Sequence, residues 1–336
     1  MSYDVYYSTG GGSMVYGGSD VWVNNWLREV APKLEHPSKL LIHRRRPDGR
    51  KIEFESPIEI LWQGDDPKKV DTYMNECRRL HILHGYYTPH KLITQNQDRL
   101  SSVVIHVSTD LSLKAGFQLG VPKLKHFSAN PKWERQVTKM ADKVIWIGLD
   151  RIPLHDEVDV IDIPNYYEFK NNISCNESNV VGFAARCETR KAPHFLDGID
   201  SLAFTDIKDW RWWRAHYECM FEKTRLYQFN YNNLHRFYGR QDWGISHSCH
   251  INEPFGYSIF QAFDYGKLPI LQLDWIKDFK YPFRSFTKEQ FKEQVDNISN
   301  LSVQERNDYL DDFREYLRRY DNKSEWTDKY LEIYNT

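Results

Sequence analysis

Residues His250–Leu271 read HINEPFGYSIFQAFDYGKLPIL, and this stretch decides how the fold is interpreted. An acidic residue, Glu253, precedes Pro-Phe-Gly, and the pattern predicts a helix up to Gly266 followed by a short apolar strand. Gly256 lets the backbone approach a ligand, and the N–H groups that open the helix can bind an anion. A carboxylate there would repel phosphate, so Glu253 should face a neutral part of the ligand such as sugar hydroxyls. The alternative is the strand–turn–helix of an ordinary α/β domain.

Length and composition bound the possible classes of protein. The chain has 336 residues, enough for two domains, and its net charge of −2 gives no global attraction to nucleic acid. The N-terminus does not resemble a signal peptide, and no apolar run approaches about 18 residues, so we expect a cytoplasmic monomer without stable membrane insertion. Five scattered cysteines without CxxC spacing predict free thiols and no zinc site.

A glycine-rich loop follows the first predicted strand. The segment from Gly10 to Gly18 holds five glycines and leads into a helix that begins near Ser19. Strand, glycine-rich loop and helix form an architecture that can cradle phosphate. The loop lacks the Lys-Ser/Thr pair of a Walker motif and the GxGxxG spacing, so the local signal is weak.

Short strands and helices alternate along the rest of the chain in two series. The first series ends near Pro164 and the second begins at Asn179, with a helical tail after it. This alternation predicts an α/β fold with two doubly wound parallel sheets, in which ligands bind outside the carboxyl ends of the strands.

A second motif, VVGFAARCETRKAPHFL, opens the second series at Val180. Arg186 and Lys191 are predicted at a strand end and a helix start, where two cations can hold a diphosphate and neutralise it as it leaves. Arg190 is a third candidate. The alternative is that Arg186 only caps the strand and that Lys191 is solvated.

The two motifs resemble those of retaining GT-B glycosyltransferases. E-P-F-G-x4-Q-A-x3-G-x-x-P is similar to their nucleotide-sugar signature, although Gln261 stands where the second Glu is usual. The segment from Val180 is similar to G-F-x-G-R-x4-K-G, with Ala185 and Ala192 in place of the two later glycines. The resemblance implies two Rossmann-like domains facing a cleft, residues 1–164 for the acceptor and 165–314 for the nucleotide-sugar, with C-terminal helices from about 315 to 336 returning to the first.

The resemblance also implies roles for individual residues. Glu253 would bind hydroxyls of the donor sugar, and Gln261 would bind the ribose through its amide, without charge assistance. Further donor-binding residues would be Gly17, Gly18, Phe204, Thr205, Phe255, Gly256 and Tyr257. UDP is the expected nucleotide of a UDP-sugar donor substrate. No metal and no other cofactor is required, because Arg186 and Lys191 would serve instead.

Two further residues are catalytic candidates in the first domain. His106 lies where the family often has a histidine near the reacting sugar; otherwise it is a satisfied core histidine. Asp110 could be an acceptor base if its loop presents it. Retaining enzymes of this type are usually thought to use the leaving phosphate as the base, so no protein base is required.

Basic clusters in the first domain suit an anionic acceptor. Residues 111–143 carry seven basic and two acidic side chains, a local charge of +5, and His43-Arg-Arg-Arg46 forms a second cluster. The predicted DNA-binding residues are Arg44, Arg45, Lys114, Lys123 and Lys125. The alternative is a solvated charged face.

The segment HVSTDLSLKAGFQLGV and the tail NLSVQERNDYLDDFREYLRRYDNKSEW are similar to tailed-phage DNA hydroxymethylcytosine glycosyltransferases. This resemblance implies transfer of glucose or a pentose such as arabinose to a hydroxymethylated pyrimidine in double-stranded DNA, in the host cytoplasm, by flipping the nucleotide or entering the major groove. The alternatives are an enzyme of surface-polysaccharide or glycolipid synthesis and a catalytically silent binding module.

Overall fold

The computed structural model describes most of the chain, and two compact units are defined within it. The described residues are 2–8, 18–43, 56–64, 66–84, 90–106, 131–149, 158–187, 189–208, 210–211, 214, 219–228, 233–250, 253–273 and 275–336. The N-terminal unit comprises the described residues up to Tyr166 together with Lys323–Thr336, and the C-terminal unit comprises those of Tyr167–Asn322.

The N-terminal unit is built on a seven-stranded parallel sheet with the order β3-β2-β1-β4-β5-β6-β7. Its strands are β1 Asp4–Ser8, β2 Ser38–Ile42, β3 Glu59–Trp62, β4 Arg79–Ile82, β5 Leu100–Ile105, β6 Lys143–Trp146 and β7 Val160–Asp162. Its helices include α1 Gly18–Glu29, α2 Pro67–Glu76, α3 His90–Gln95 and α4 Pro131–Met140. The strand order reverses between β1 and β4, which is where such sheets open a ligand crevice.

An aromatic cluster fills one face of this sheet. Trp22 and Trp26 of α1 are fully buried against Tyr330 and Tyr334, which belong to the last helix of the chain, Lys323–Tyr334. Burial of large aromatic side chains is the main stabilising term in such a contact. The C-terminal helix therefore completes the core of the N-terminal unit.

The C-terminal unit repeats the same topology with six parallel strands in the order β10-β9-β8-β11-β12-β13. The strands are β8 Val181–Ala184, β9 Ser201–Thr205, β10 Thr224–Gln228, β11 Ile245–Ser248, β12 Leu268–Gln272 and β13 Arg284–Ser285. The helices include α5 Leu234–Tyr238, α6 Tyr257–Asp264, α7 Lys288–Ser299 and α8 Val303–Leu317, and the C-terminal helix of the N-terminal unit is α9. Here the order reverses between β8 and β11.

Two local features of the C-terminal unit differ from the sequence prediction. The turn at Pro193–Leu196 is a short 3-10 helix, and Ala192 just before it adopts a left-handed conformation with φ of 47°. Helix α6 ends at Asp264, two residues earlier than expected, and Gly266 with φ of 68° turns the chain into β12.

Gly266→Ala should destabilise the C-terminal unit by about 3 kcal/mol or more, since it adds left-handed strain and overpacking. A Cβ atom at Gly266 would lie 2.3 Å from the carbonyl oxygen of Ser174, a backbone atom that cannot move aside alone. Gly198→Ala is the matched control: φ is 83° there, but no atom lies within 4 Å of the added Cβ. Chemical denaturation should show a clearly larger loss for the Gly266 variant; equal losses would contradict the contact.

Candidate functional site

A cluster of charged and imidazole side chains lies at the carboxyl ends of β8 and β11, where the strand order of the C-terminal unit reverses. Lys191 comes from the loop after β8, and His250 and Glu253 come from the loop after β11. Parallel sheets bind ligands at this place because the loops on either side of the reversal diverge and leave a crevice. The topology therefore brings together residues that are 62 positions apart in the sequence.

Lys191 and Glu253 form an ion pair at the centre of this cluster. The Lys191 ammonium contacts Glu253 Oε2, and the two side chains are only 11% and 16% exposed. A pair this sheltered is screened much less by salt than a surface pair. The lysine also compensates the carboxylate, so Glu253 can stand beside an anion site without repelling the anion as strongly as an isolated carboxylate would.

His250 lies against both members of the ion pair. Its Nδ1 atom is 3.3 Å from Lys191 Nζ and 3.7 Å from Glu253 Oε2, and the residue is 2% exposed. Burial holds the pKa of His250 well below its usual value, and the neighbouring cation of Lys191 lowers that pKa further. The imidazole is therefore neutral near pH 7.

His247, on β11, fixes the backbone next to Lys191. Its Nε2 atom is 2.9 Å from the carbonyl oxygen of Ala192, whose left-handed conformation follows directly after Lys191. Burial lowers the pKa of His247 to about 4, so this ring is also neutral and donates its Nε2 proton to the carbonyl. The hydrogen bond fixes the chain where the lysine side chain begins.

Gly256 shapes the anion site at the start of α6. It is the N-cap residue, with φ of 78° and ψ of 57°, and it provides no side-chain cap for the first N–H groups of the helix. An added Cβ would lie 2.8 Å from Ile259 Cδ1 and 3.2 Å from Glu253 Cγ, so the position suits only glycine. Backbone N–H groups and the helix dipole can therefore meet an anion close to Glu253.

Four of the other predicted donor-site residues lie on the elements expected of them. Arg186 is exposed two positions beyond β8, and Thr205 ends β9 with its hydroxyl 3.5 Å from Cys187 Sγ. Tyr257 opens α6, half-buried, and Gln261 is half-buried one turn later. The side chain of Gln261 makes no hydrogen bond to a described residue. Their roles at the donor site stay predictions.

The rings of Phe255 and Phe204 lie in the hydrophobic core. Phe255 is 2% exposed and stacks on Phe260 with ring centroids 4.4 Å apart; Phe204 is 5% exposed and stacks on Phe237 at 5.0 Å. Any ligand contact from either residue would have to come from its backbone, because the side chain is already covered.

His106 follows β5 in the N-terminal unit and is buried. Its Nε2 atom is 2.8 Å from the carbonyl oxygen of Leu83, its ring lies 4.7 Å from that of His84, and burial lowers its pKa to about 4. This satisfied, neutral histidine fits the core alternative as well as a ligand contact, so its catalytic role stays a prediction. Other predicted residues, Gly17, Arg44, Arg45, Asp110, Lys114, Lys123 and Lys125, lie outside the described residues, and Gly18 begins α1.

The sequence alone indicates no role for His247 or His250. Its one signal for them is the spacing of two histidines in HSCH around the end of a predicted strand. Their burial and their contacts with Ala192 and Lys191 depend on tertiary structure.

In the described part of the chain, no group of three or more His, Cys, Asp or Glu side chains is arranged to hold a metal ion. No helix there has the length and apolar character needed to cross a membrane.

Stability should fall as the pH drops from about 6.5, the usual histidine pKa, towards 4.5. Burial lowers the pKa of His81 to about 3 and the pKa values of His106, His194 and His247 to about 4, and it lowers that of His250 as well. A depressed histidine pKa means that the unfolded chain binds more protons in this window, so acid favours unfolding.

Denaturant midpoints measured between pH 7 and pH 4.5 check this expectation. His81→Asn should make the pH dependence shallower, whereas the same change at exposed His235 should leave it unchanged. A midpoint that does not vary with pH would contradict the neutral buried histidines.

Several solved structures with a similar fold are glycosyltransferases. An alpha-glucosyltransferase in complex with UDP and a 13-mer DNA gives a TM-score of 0.57 at 11% identity, with 100% of both chains covered. The alpha,alpha-trehalose-phosphate synthase (UDP-forming) of Burkholderia xenovorans gives 0.62 at 9% identity, covering 99% of this chain and all of the other. S. aureus TarM, solved with UDP, gives 0.55 at 12% identity over 95% of this chain, which spans 59% of TarM.

No protein-family model matches the sequence, and no curated protein matches it. The solved structures have the GT-B fold, and so does this chain, with two Rossmann-like parallel-sheet units. The predicted fold class is confirmed in this respect.

Proposed function

We propose that the protein is a retaining glycosyltransferase that moves a sugar from a UDP-sugar to a 5-hydroxymethylated pyrimidine in double-stranded phage DNA. One observation carries the donor half of this proposal. The Lys191–Glu253 ion pair lies beside the glycine that opens α6, at the strand-order reversal of the C-terminal unit. A cation, a carboxylate and the N–H groups at the start of a helix together match a diphosphate linked to a sugar.

The donor would be held by complementary groups. Lys191 and the N–H groups after Gly256 suit the diphosphate, with Arg186 as a second cation. Glu253 suits sugar hydroxyls, which can donate to its carboxylate while Lys191 compensates its charge. Gln261 would bind the ribose of the UDP moiety, and the backbone at Thr205 would bind its nucleobase.

The reaction exchanges one bond at the anomeric carbon. The bond from that carbon to the diphosphate oxygen breaks, and the electron pair leaves with UDP. The hydroxymethyl oxygen of the acceptor bonds to the same face, and its proton passes to the departing phosphate. Cations that stabilise the leaving charge lower the barrier, and removal of one such group typically costs about 100- to 1,000-fold in rate.

The DNA acceptor rests on the sequence and on one structural neighbour. Basic residues cluster around Arg44 and between Lys114 and Lys125, and one of the similar structures holds DNA beside UDP. A base inside a duplex must be flipped or approached through the major groove to react. A glycan or glycolipid acceptor is the second candidate, because the TarM structure holds alpha-GlcNAc-glycerol and the trehalose-phosphate synthase structure holds glucose-6-phosphate, with TM-scores similar to that of the DNA complex.

A transfer assay tests the acceptor. The protein would be incubated with a panel of UDP-sugars and with duplex DNA containing either hydroxymethylated or unmodified pyrimidines, and the digested nucleosides would be weighed by mass spectrometry. A hexose or pentose mass on the hydroxymethylated DNA alone supports the proposal. Hydrolysis of UDP-sugar without transfer to any DNA would contradict the DNA acceptor and favour the glycan candidate.

Charge reversal of Lys123 and Lys125 to glutamate should weaken DNA binding and make it less sensitive to salt. Each lost phosphate contact lowers the slope of log affinity against log salt by about 0.9. Lys170→Glu, at a lysine whose side chain is 70% exposed in the C-terminal unit, is the control and should bind as wild type. Fluorescence anisotropy at several salt concentrations measures both quantities, and an unchanged slope would contradict the basic surface.

A further inference from the structure

His250 makes contacts that a packing role alone does not require. It is a fully buried polar ring whose Nδ1 atom lies 3.3 Å from the Lys191 ammonium. No described residue forms a hydrogen bond with its other nitrogen, Nε2. Leaving a buried polar atom unsatisfied lowers stability, so an apolar side chain of similar volume would suit the fold better.

The contact with Lys191 fixes the state of the ring. An ammonium group can only donate hydrogen bonds, so Nδ1 must accept and the proton of the neutral ring is on Nε2. The groups that face the ring agree with this state: Lys191, Arg190 and His247 disfavour a second proton, and burial does so most strongly, while Glu253 alone favours it.

We infer that His250 is a positioning residue that holds the Lys191 ammonium at the diphosphate site, and this inference rests on the proposed function. Glu253 and His250, which both contact Lys191, have different effects on its charge. Glu253 attracts the ammonium but cancels part of its field, whereas the neutral His250 directs the ammonium and leaves its charge intact. With Glu253 alone, the lysine would turn fully onto the carboxylate and away from a phosphate.

Two substitutions at His250 distinguish the effect of its hydrogen-bond acceptor atom from the effect of its side-chain volume. In His250→Asn, the side-chain oxygen replaces Nδ1 and can still accept from Lys191. His250→Leu keeps similar volume without an acceptor. We expect the Leu variant to lose about 10- to 100-fold in kcat with a raised KM for UDP-sugar, because small misplacements of a catalytic group have effects of this size. The Asn variant should stay within about threefold of wild type on the same grounds.

A third variant and a control guard against misfolding. His250→Gln places its acceptor near the Nε2 position, so it should behave like the Leu variant although it is polar. His194→Asn changes a half-buried histidine of the same unit and should leave kcat and KM unchanged. Asn and wild type should also share one pH profile of kcat, because His250 exchanges no proton in the reaction. If the pH profile of kcat lost one of its limbs in the Asn variant, His250 would exchange a proton in the reaction, and the positioning role would be overturned.

UDP affinity, measured by titration calorimetry for the same variants, keeps this test apart from that of the proposed function. If UDP binds wild type and the Leu and Gln variants equally, or if Asn is as impaired as Leu, the inference is wrong while the donor site stands. If Leu and Gln weaken UDP binding and Asn does not, the inference holds even where no transfer to DNA is found. If UDP does not bind the wild-type protein, both the positioning role of His250 and the proposed donor site are wrong.

Discussion

Replacing Lys191 with methionine should lower sugar transfer by about 100-fold or more, the usual cost of removing one preorganised group that stabilises a developing charge. Methionine keeps most of the unbranched stem of the lysine and removes only its ammonium. Because the ammonium compensates Glu253 and would also face the diphosphate of the donor, its loss should reduce both kcat and the affinity for UDP.

Lys288→Met is the matched control. Lys288 forms an ion pair with Asp197 at 2.9 Å in the same unit, with 40% of its side chain exposed. Exposed ion pairs contribute little to stability, so breaking this pair should leave the rate of sugar transfer within about twofold of wild type. Equal activities of the two variants, with thermal unfolding curves like that of wild type, would contradict the role of Lys191.

The second large effect is expected from Glu253→Gln, which keeps the shape of the side chain and removes its charge. Transfer should again fall about 100-fold, because the amide orients Lys191 less firmly and binds a sugar hydroxyl without charge assistance. Asp197→Asn changes the partner of the control lysine, removes a carboxylate from a different ion pair, and should have little effect.

The double variant of Lys191 and Glu253 adds a sharper test. The effects of substitutions at residues that act as one unit are not additive. The double variant should therefore lose little more activity than the less active of the two single variants. Full additivity of the two losses would show that the two side chains act independently, which their contact does not allow.

Much of the fold could be predicted because it depends on local pattern. Alternating apolar strands and helices predicted two parallel sheets, and the glycine after Glu253 predicted the turn into α6 that the structure shows. The motif around Lys191 could be recognised for the same reason, since strand, turn and helix are short-range features.

The rest of the site depends on contacts between residues far apart in the sequence, which local sequence patterns do not indicate. Pairing of Lys191 with Glu253 links residues 62 positions apart, and no local rule anticipates it. Phe255 and Phe204 lie on the expected elements, yet their rings point into the core, because motif spacing does not give side-chain direction. The neutral state of His250 follows from burial, which only the folded structure reveals.

The most direct test of the central claim is a calorimetric comparison of UDP with uridine. A diphosphate site built by Lys191 and the start of α6 predicts that wild type binds UDP at least about tenfold more tightly than uridine, and that this preference largely disappears in Lys191→Met, because charge-assisted hydrogen bonds to a charged group contribute about 1.5–3 kcal/mol. Equal affinity for UDP and uridine in the wild type, or an unchanged preference in the variant, would contradict the account.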